Sequence, residues 1–76
     1  MTLGERIAYY RGALGLSQGE LAEKLGVSRQ AVSKWETDAG LPDLDRLIAL
    51  SGLFDISLDE LVKGAAPSPA PADGAQ

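Results

Sequence analysis

Apolar side chains recur along this chain at helical spacing in five places. Leu3, Ile7, Tyr10 and Leu14 stand at i, i+4, i+7 and i+11, which is one stripe on a helix. Thr2 is placed to cap its start and Gly15 to end it. Gly12, near that end, weakens the helix by up to ~1 kcal/mol relative to alanine. The run Ser17-Gln18-Gly19-Glu20 has the form of a capping box, and Leu21, Ala22 and Leu25 follow on one face before Gly26 breaks the pattern. Ser28 caps a third segment carrying Ala31, Val32 and Trp35. A fourth begins at Pro42 and Asp43, with proline tolerated in a first turn, and its interior stripe is Leu44, Leu47, Ile48, Ser51 and Phe54. Ser57-Leu58-Asp59-Glu60 reads as a second capping box and opens a short fifth helix that ends near Lys63. No stretch alternates with period two for long enough to make a strand, so the pattern predicts an all-α bundle of five short helices.

The periodic pattern stops where GAAPSPAPADGAQ begins. Residues 64–76 hold all but one of the four prolines and no large apolar side chain. Such a segment does not bury enough surface to offset its ordering entropy, so it is expected to be a disordered tail or the stub of a linker. The folded domain is then residues 1–63 of 76, a single core of marginal stability that dimerisation or ligand binding would help.

Composition narrows the chemistry. The chain has neither cysteine nor histidine, which removes disulfides, thiolate and imidazole metal sites, and nucleophilic schemes built on a Cys or a His base. Asp43, Asp59 and Glu60 stand at helix starts, where they complement the dipole, and nothing assembles a catalytic pair. No metal, cofactor or small-molecule ligand is expected. Glu5, Arg6 and Arg11 interrupt the N-terminus where a signal peptide needs its apolar run, and no apolar stretch approaches a membrane span. The default expectation is a soluble cytoplasmic domain.

The informative segment is QGELAEKLGVSRQAVSKWET, residues 18–37. Two short helices are joined by a tight turn containing Gly26. Ala22 has to be small because the second helix crosses close over it, and Gly26 has to accept a turn conformation that a side chain would strain. Leu21, Leu25, Val27, Val32 and Trp35 clamp the two helices together and onto the rest of the bundle. Ser28, Arg29, Gln30, Ser33 and Lys34 are left polar, at the start and on the outer face of the second helix. A helix-turn-helix needs this arrangement to place a recognition helix in a major groove, although Arg29, Gln30, Ser33 and Lys34 taken alone would make an ordinary solvated face. Tyr9, Tyr10 and Trp35 are read as core or rim, since base-stacking platforms belong to single-strand binders.

At these residues the chain resembles the phage-repressor and Cro type of helix-turn-helix domain, the xenobiotic-response-element-like family of bacterial regulators. GLSQGELAEKLGVSRQAVSKWE and LPDLDRLIALSGLFDISLDEL are similar to that family almost throughout, and residues 3 to 62 carry the resemblance. The resemblance implies a five-helix, lambda-repressor-like DNA-binding domain, a homodimer on a pseudo-palindromic double-stranded operator, and a role as transcriptional regulator. It implies that Gln18, at a helix start, meets backbone phosphate or an outer base pair, and that Ser28 caps the recognition helix (about residues 28–36) and touches the DNA. Arg29, Gln30, Ser33 and Lys34 match groove-reading positions, and their chemistry suits guanine and adenine edges. Arg11 and Glu36 match a pair that forms a partly buried ion pair between the first and third helices.

The net charge of −4 opposes a DNA partner, but it is unevenly spread. Residues 1–36 carry Arg6, Arg11, Lys24, Arg29 and Lys34 against Glu5, Glu20, Glu23 and Glu36, a net of +1. Residues 37–76 carry Arg46 and Lys63 against Asp38, Asp43, Asp45, Asp55, Asp59, Glu60 and Asp73, a net of −5. Few phosphate contacts and a shallow salt dependence follow. Asp38 departs from the family pattern in a loop that runs beside the phosphate backbone in relatives, and is expected to repel it. Leu50 and Leu53 stand beside the fourth stripe, either as a dimer contact or as part of the monomer core. The alternative function is an antitoxin-like protein-interaction module that keeps the fold with weak or no DNA binding.

Overall fold

A computed structural model describes residues 1–64 of the chain. Five α-helices follow one another: α1 Leu3–Ala13, α2 Gln18–Leu25, α3 Arg29–Glu36, α4 Leu44–Phe54 and α5 Leu58–Lys63. The described residues contain no strand, and none of the helices is long and apolar enough to cross a membrane. The expected residues 64–76 tail lies outside the described residues except for Gly64.

Each helix starts on a short polar side chain. Thr2, Ser17, Ser28, Asp43 and Ser57 all sit in extended backbone and accept the amide three residues on, satisfying donors that the helix itself leaves free. The reciprocal half of the box, in which the glutamate accepts the cap's own amide, forms at Thr2–Glu5 and Ser17–Glu20. At Ser57 only the first half forms, which corrects the second capping box read from the sequence. The Glu60 carboxylate accepts instead from the Tyr10 hydroxyl at 2.9 Å, joining α5 to α1. The fourth helix also starts later than expected. Asp43 is its cap, accepting from the Arg46 amide at 2.9 Å, and Pro42 lies buried outside the helix.

The core is Ile7 from α1, Leu21 and Ala22 from α2, Val32 and Trp35 from α3, Leu50 and Phe54 from α4, and Leu61 from α5. The Tyr10 and Phe54 rings stack at 5.4 Å, and Tyr9 meets Tyr10 edge-on at 5.2 Å. The α1 stripe reaches only to Tyr10, because Leu14 follows the last helical residue and stays half exposed before Gly15 turns the chain at φ 72°. In α4 the buried line is Leu50 and Phe54, flanked by partly buried Leu47 and Leu53, while Leu44 and Ile48 face outward. The stripe read from the sequence is therefore rotated. This helix is apolar around most of its circumference, and spacing alone did not choose among its faces. Leu50 has no exposed surface, so the dimer contact anticipated there is corrected: it completes the monomer core.

Two ties close the bundle. The Arg6 guanidinium donates from Nε to the Leu61 carbonyl and from Nη2 to the Val62 carbonyl, both at 2.6 Å, and from Nη1 to the Met1 carbonyl. It caps the negative end of α5 from the surface of α1. Gly4 is buried against the end of α3, where a Cβ would run into the Trp35 and Glu36 carbonyl oxygens and the Asp38 carboxylate. Only a glycine lets α1 approach α3 this closely.

Candidate nucleic-acid interface

The geometry of α2 and α3 starts at their turn. Gly26 adopts the left-handed conformation at φ 70°, and its amide reaches back to the Ala22 and Glu23 carbonyls. The Val27 amide bonds the Ala22 carbonyl at 3.0 Å, so the end of α2 is closed within the turn. Ser28 then accepts the Ala31 amide at 3.1 Å and launches α3. Leu21, Ala22, Val32 and Trp35 are buried between the two helices and the rest of the bundle, which leaves the opposite side of α3 facing outward.

That outward side carries Arg29, Gln30 and Lys34, all exposed, together with partly buried Ser33 and the exposed cap Ser28. The Arg29 stem passes over the first turn of α2, its Cδ 3.8 Å from where a Cβ on Gly19 would lie. Both helices therefore contribute to one surface, with Arg29 beside the start of α2. The Gln18 and Gly19 amides there belong to the first helical turn, whose donors lack intrahelical partners. Hydrogen bonds from Ser17, its backbone amide first and its hydroxyl second, hold the Glu20 carboxyl below the usual carboxylate range.

The other end of α3 is fixed. The Glu36 side chain is 7% exposed and receives Arg11 Nε at 2.6 Å and Arg11 Nη2 at 3.1 Å, a two-point pairing. Arg11 Nη1 donates to the Leu16 carbonyl at 2.8 Å, so the same guanidinium also holds the loop between α1 and α2. The Glu36 hydrogen bond pushes the Arg11 pKa up further, so the cation stays charged. Arg11 and Glu36 thus form the ion pair that the resemblance implied. Gln18 belongs to the same cluster, donating from Nε2 to Glu36 Oε1 at 2.9 Å. Part of its hydrogen-bonding capacity is spent on this contact rather than left toward an external ligand.

Asp38 behaves differently from its sequence reading. It takes a positive φ of 61° just after α3, and its carboxylate accepts the Thr2 hydroxyl at 2.6 Å and the Gly4 amide at 3.0 Å. The group expected to repel a phosphate backbone is turned toward the start of α1. The Ala39 and Gly40 amides bond the Lys34 carbonyl at 2.9 and 3.2 Å, which closes the loop on the end of α3. The sequence offered only a faint signal for this, namely the tolerance of aspartate for left-handed backbone. It offered none for the long-range pairing of Asp38 with Thr2.

Known proteins share this arrangement. The helix-turn-helix family matches residues 7–61. The chain is 41% identical over 64 residues to the HTH-type transcriptional activator BcrR of Enterococcus faecalis, covering 84% of this chain and 31% of that protein. It is 34% identical over 61 residues to the CTXphi phage transcriptional repressor RstR of Vibrio cholerae, covering 80% of this chain and 54% of that one. Among solved structures it resembles the P22 c2 repressor in complex with a synthetic operator, with a TM-score of 0.81 and 38% identity, over 86% of this chain and 98% of that chain. The chain spans about half the length, or less, of these curated relatives. Matched over most of its described length in sequence and in three dimensions, the chain belongs to the helix-turn-helix family, in its phage-repressor and Cro-type form.

Proposed function

We propose that this chain binds duplex DNA sequence-specifically as a transcriptional regulator, laying α3 in the major groove of an operator in the bacterial cytoplasm. The observation that carries the reading is the two-sidedness of α3. Val32 and Trp35 anchor it in the core, while Arg29, Gln30 and Lys34 stand exposed on its outer face. Arg29 or Lys34 suits the O6 and N7 of guanine, and Gln30 the N6 and N7 of adenine. Ser28 and Ser33 supply hydroxyls to phosphate or base. The free amides at the start of α2, with the adjoining Gln18, suit a backbone phosphate. The likeness to a repressor solved with its operator supports the same docking.

Two copies on a pseudo-palindromic site belong to the proposal, because a near-neutral reading face gives one copy little non-specific affinity. The alternative of a protein-interaction module drew on the acidic balance and on Asp38. The pairing of the Asp38 carboxylate with the start of α1 weakens the second of these grounds. The test is selection from randomised duplex DNA at low salt, with the Arg29→Ala, Gln30→Ala double variant in parallel. An enriched palindrome that the variant does not select is the expected result, with half-sites one helical turn apart, near ~34 Å. No enrichment even at low salt would reject operator binding by this chain.

A further inference from the structure

The start of α2 meets the start of α3 at a glycine. Gly19 is the second residue of α2 and is partly buried. It does not take a positive φ, so its backbone does not require glycine, and alanine is the better helix former. Among the described residues only two side chains lie within 4 Å of where its Cβ would stand, Arg29 Cδ at 3.8 Å and Ser17 Oγ at 3.9 Å. Those are ordinary contact distances, so a methyl group fits there. A longer side chain would start against the Arg29 stem and would have to share space with its outer half.

We propose that Gly19 is a specificity-determining position of the interface, because it decides where the Arg29 guanidinium goes. The proposal rests on the operator reading above and deepens it. With only backbone at position 19, the Arg29 stem lies on α2 while its backbone belongs to α3, so both helices hold this side chain. An arginine whose stem is already laid down loses less rotamer freedom on binding than one free in solvent. Its head emerges at the first turn of α3, where a recognition helix meets base edges, and its planar fork suits guanine O6 and N7. A carboxylate reaching out from position 19 would lie alongside that head. It would accept, in a two-point pairing, the donors that guanine needs, and Arg29 would stop reading. Of the groove-facing residues only Arg29 lies within 4 Å of position 19. A change there therefore acts on one base pair of the site and spares those read by Gln30 and Lys34.

The test uses the full chain and selection from randomised duplex DNA. Arg29→Ala identifies the position that Arg29 reads: its guanine preference, on the order of tenfold in the wild type, should fall below about twofold. Gly19→Glu should remove the preference at that same position and keep the others within about twofold. Its added charge also weakens binding to every duplex, but a uniform loss leaves preferences unchanged. Gly19→Ala should keep the whole site. Gly19→Glu combined with Arg29→Ala should lose nothing more at that position than Arg29→Ala alone. In the free chain, proton NMR should show a through-space contact between the Arg29 Hδ and Gly19 Hα protons. A Gly19→Glu chain that keeps the Arg29-dependent preference overturns the proposal, as does an even loss of preference at all positions. Absence of the NMR contact overturns it too, and so does an Arg29→Ala chain with unchanged preferences, which would give Arg29 to the phosphate backbone. Each of these results leaves the operator reading standing. A wild type that selects no site rejects the operator reading itself, and the proposal falls with it.

Discussion

The two ends of α3 are built in opposite ways. At its C-terminal end, Glu36 is paired twice with Arg11 and bonded to Gln18, Gly4 presses against the last carbonyls, and Asp38 is tied to the start of α1. At its N-terminal end, the Ser28 hydroxyl accepts one amide, and the Arg29 and Gln30 side chains make no hydrogen bond among the described residues. One end is immobilised so that the other can be presented at a defined angle. Recognition by a rigid element loses less to ordering on binding than recognition by a loose one. Substitutions at the two ends should therefore separate stability from DNA selection.

The largest effect is expected at Glu36→Ala, which leaves the partly buried Arg11 cation unpaired and frees Gln18. A loss of up to ~3–5 kcal/mol is expected, seen as a melting temperature lower by on the order of 15 °C or more. Glu36→Gln, which keeps an acceptor for Arg11, should lose clearly less. Gly4→Ala comes next. Overpacking costs typically ~1–3 kcal/mol, and here the upper end is expected because the opposing atoms are mostly backbone carbonyls that have nowhere to move. Urea denaturation would measure it, and a loss below ~0.5 kcal/mol would show that α1 lifts off α3 freely.

Asp38→Ala should lose about 1–2 kcal/mol, combining a lost cap with a left-handed backbone that alanine resists. Asp38→Gly, relieved of the backbone strain, should recover part of it in the same melts. A smaller effect belongs to Glu20. Its folded pKa lies below the ordinary value, so the stabilisation it gives is present above the unfolded pKa and lost as pH falls through the folded one. The melting-temperature difference between the wild type and Glu20→Gln should hold steady from about pH 7 to about pH 5 and shrink as the pH falls below the ordinary glutamate pKa of about 4.3. Least of all, Arg29→Ala with Gln30→Ala should change stability by less than ~0.5 kcal/mol. A large loss of stability there would erase the distinction between the two ends.

Much of this was legible in the sequence, for identifiable reasons. Helix starts are encoded by one or two adjacent residues, so Thr2, Ser17, Ser28 and Ser57 could be found by local pattern. Gly26 announces its turn because few other residues accept the backbone it adopts. The outer face of α3 was legible by subtraction: once Val32 and Trp35 are turned inward, Arg29, Gln30 and Lys34 must turn outward. The orientation of α4 was not legible, because apolar residues stand around most of its circumference and Asp45, Arg46 and Ser51 do not gather on one side to mark the solvent. The pairings of Arg6 with the end of α5, of Tyr10 with Glu60 and of Asp38 with Thr2 join residues 36 to 56 positions apart. Nothing local encodes such pairings.

The Arg6 clasp has a consequence for the order in which the domain is made. Its acceptors are the Leu61 and Val62 carbonyls, among the last groups of the bundle to be synthesised, and its donor is among the first. On the ribosome the first four helices must wait, incomplete, until α5 emerges, since six residues form no stable helix unaided. Closure is then a single late event that joins the two ends of the fold. A nascent chain halted before Leu61 would be open to proteases, and one released a few residues later would be closed.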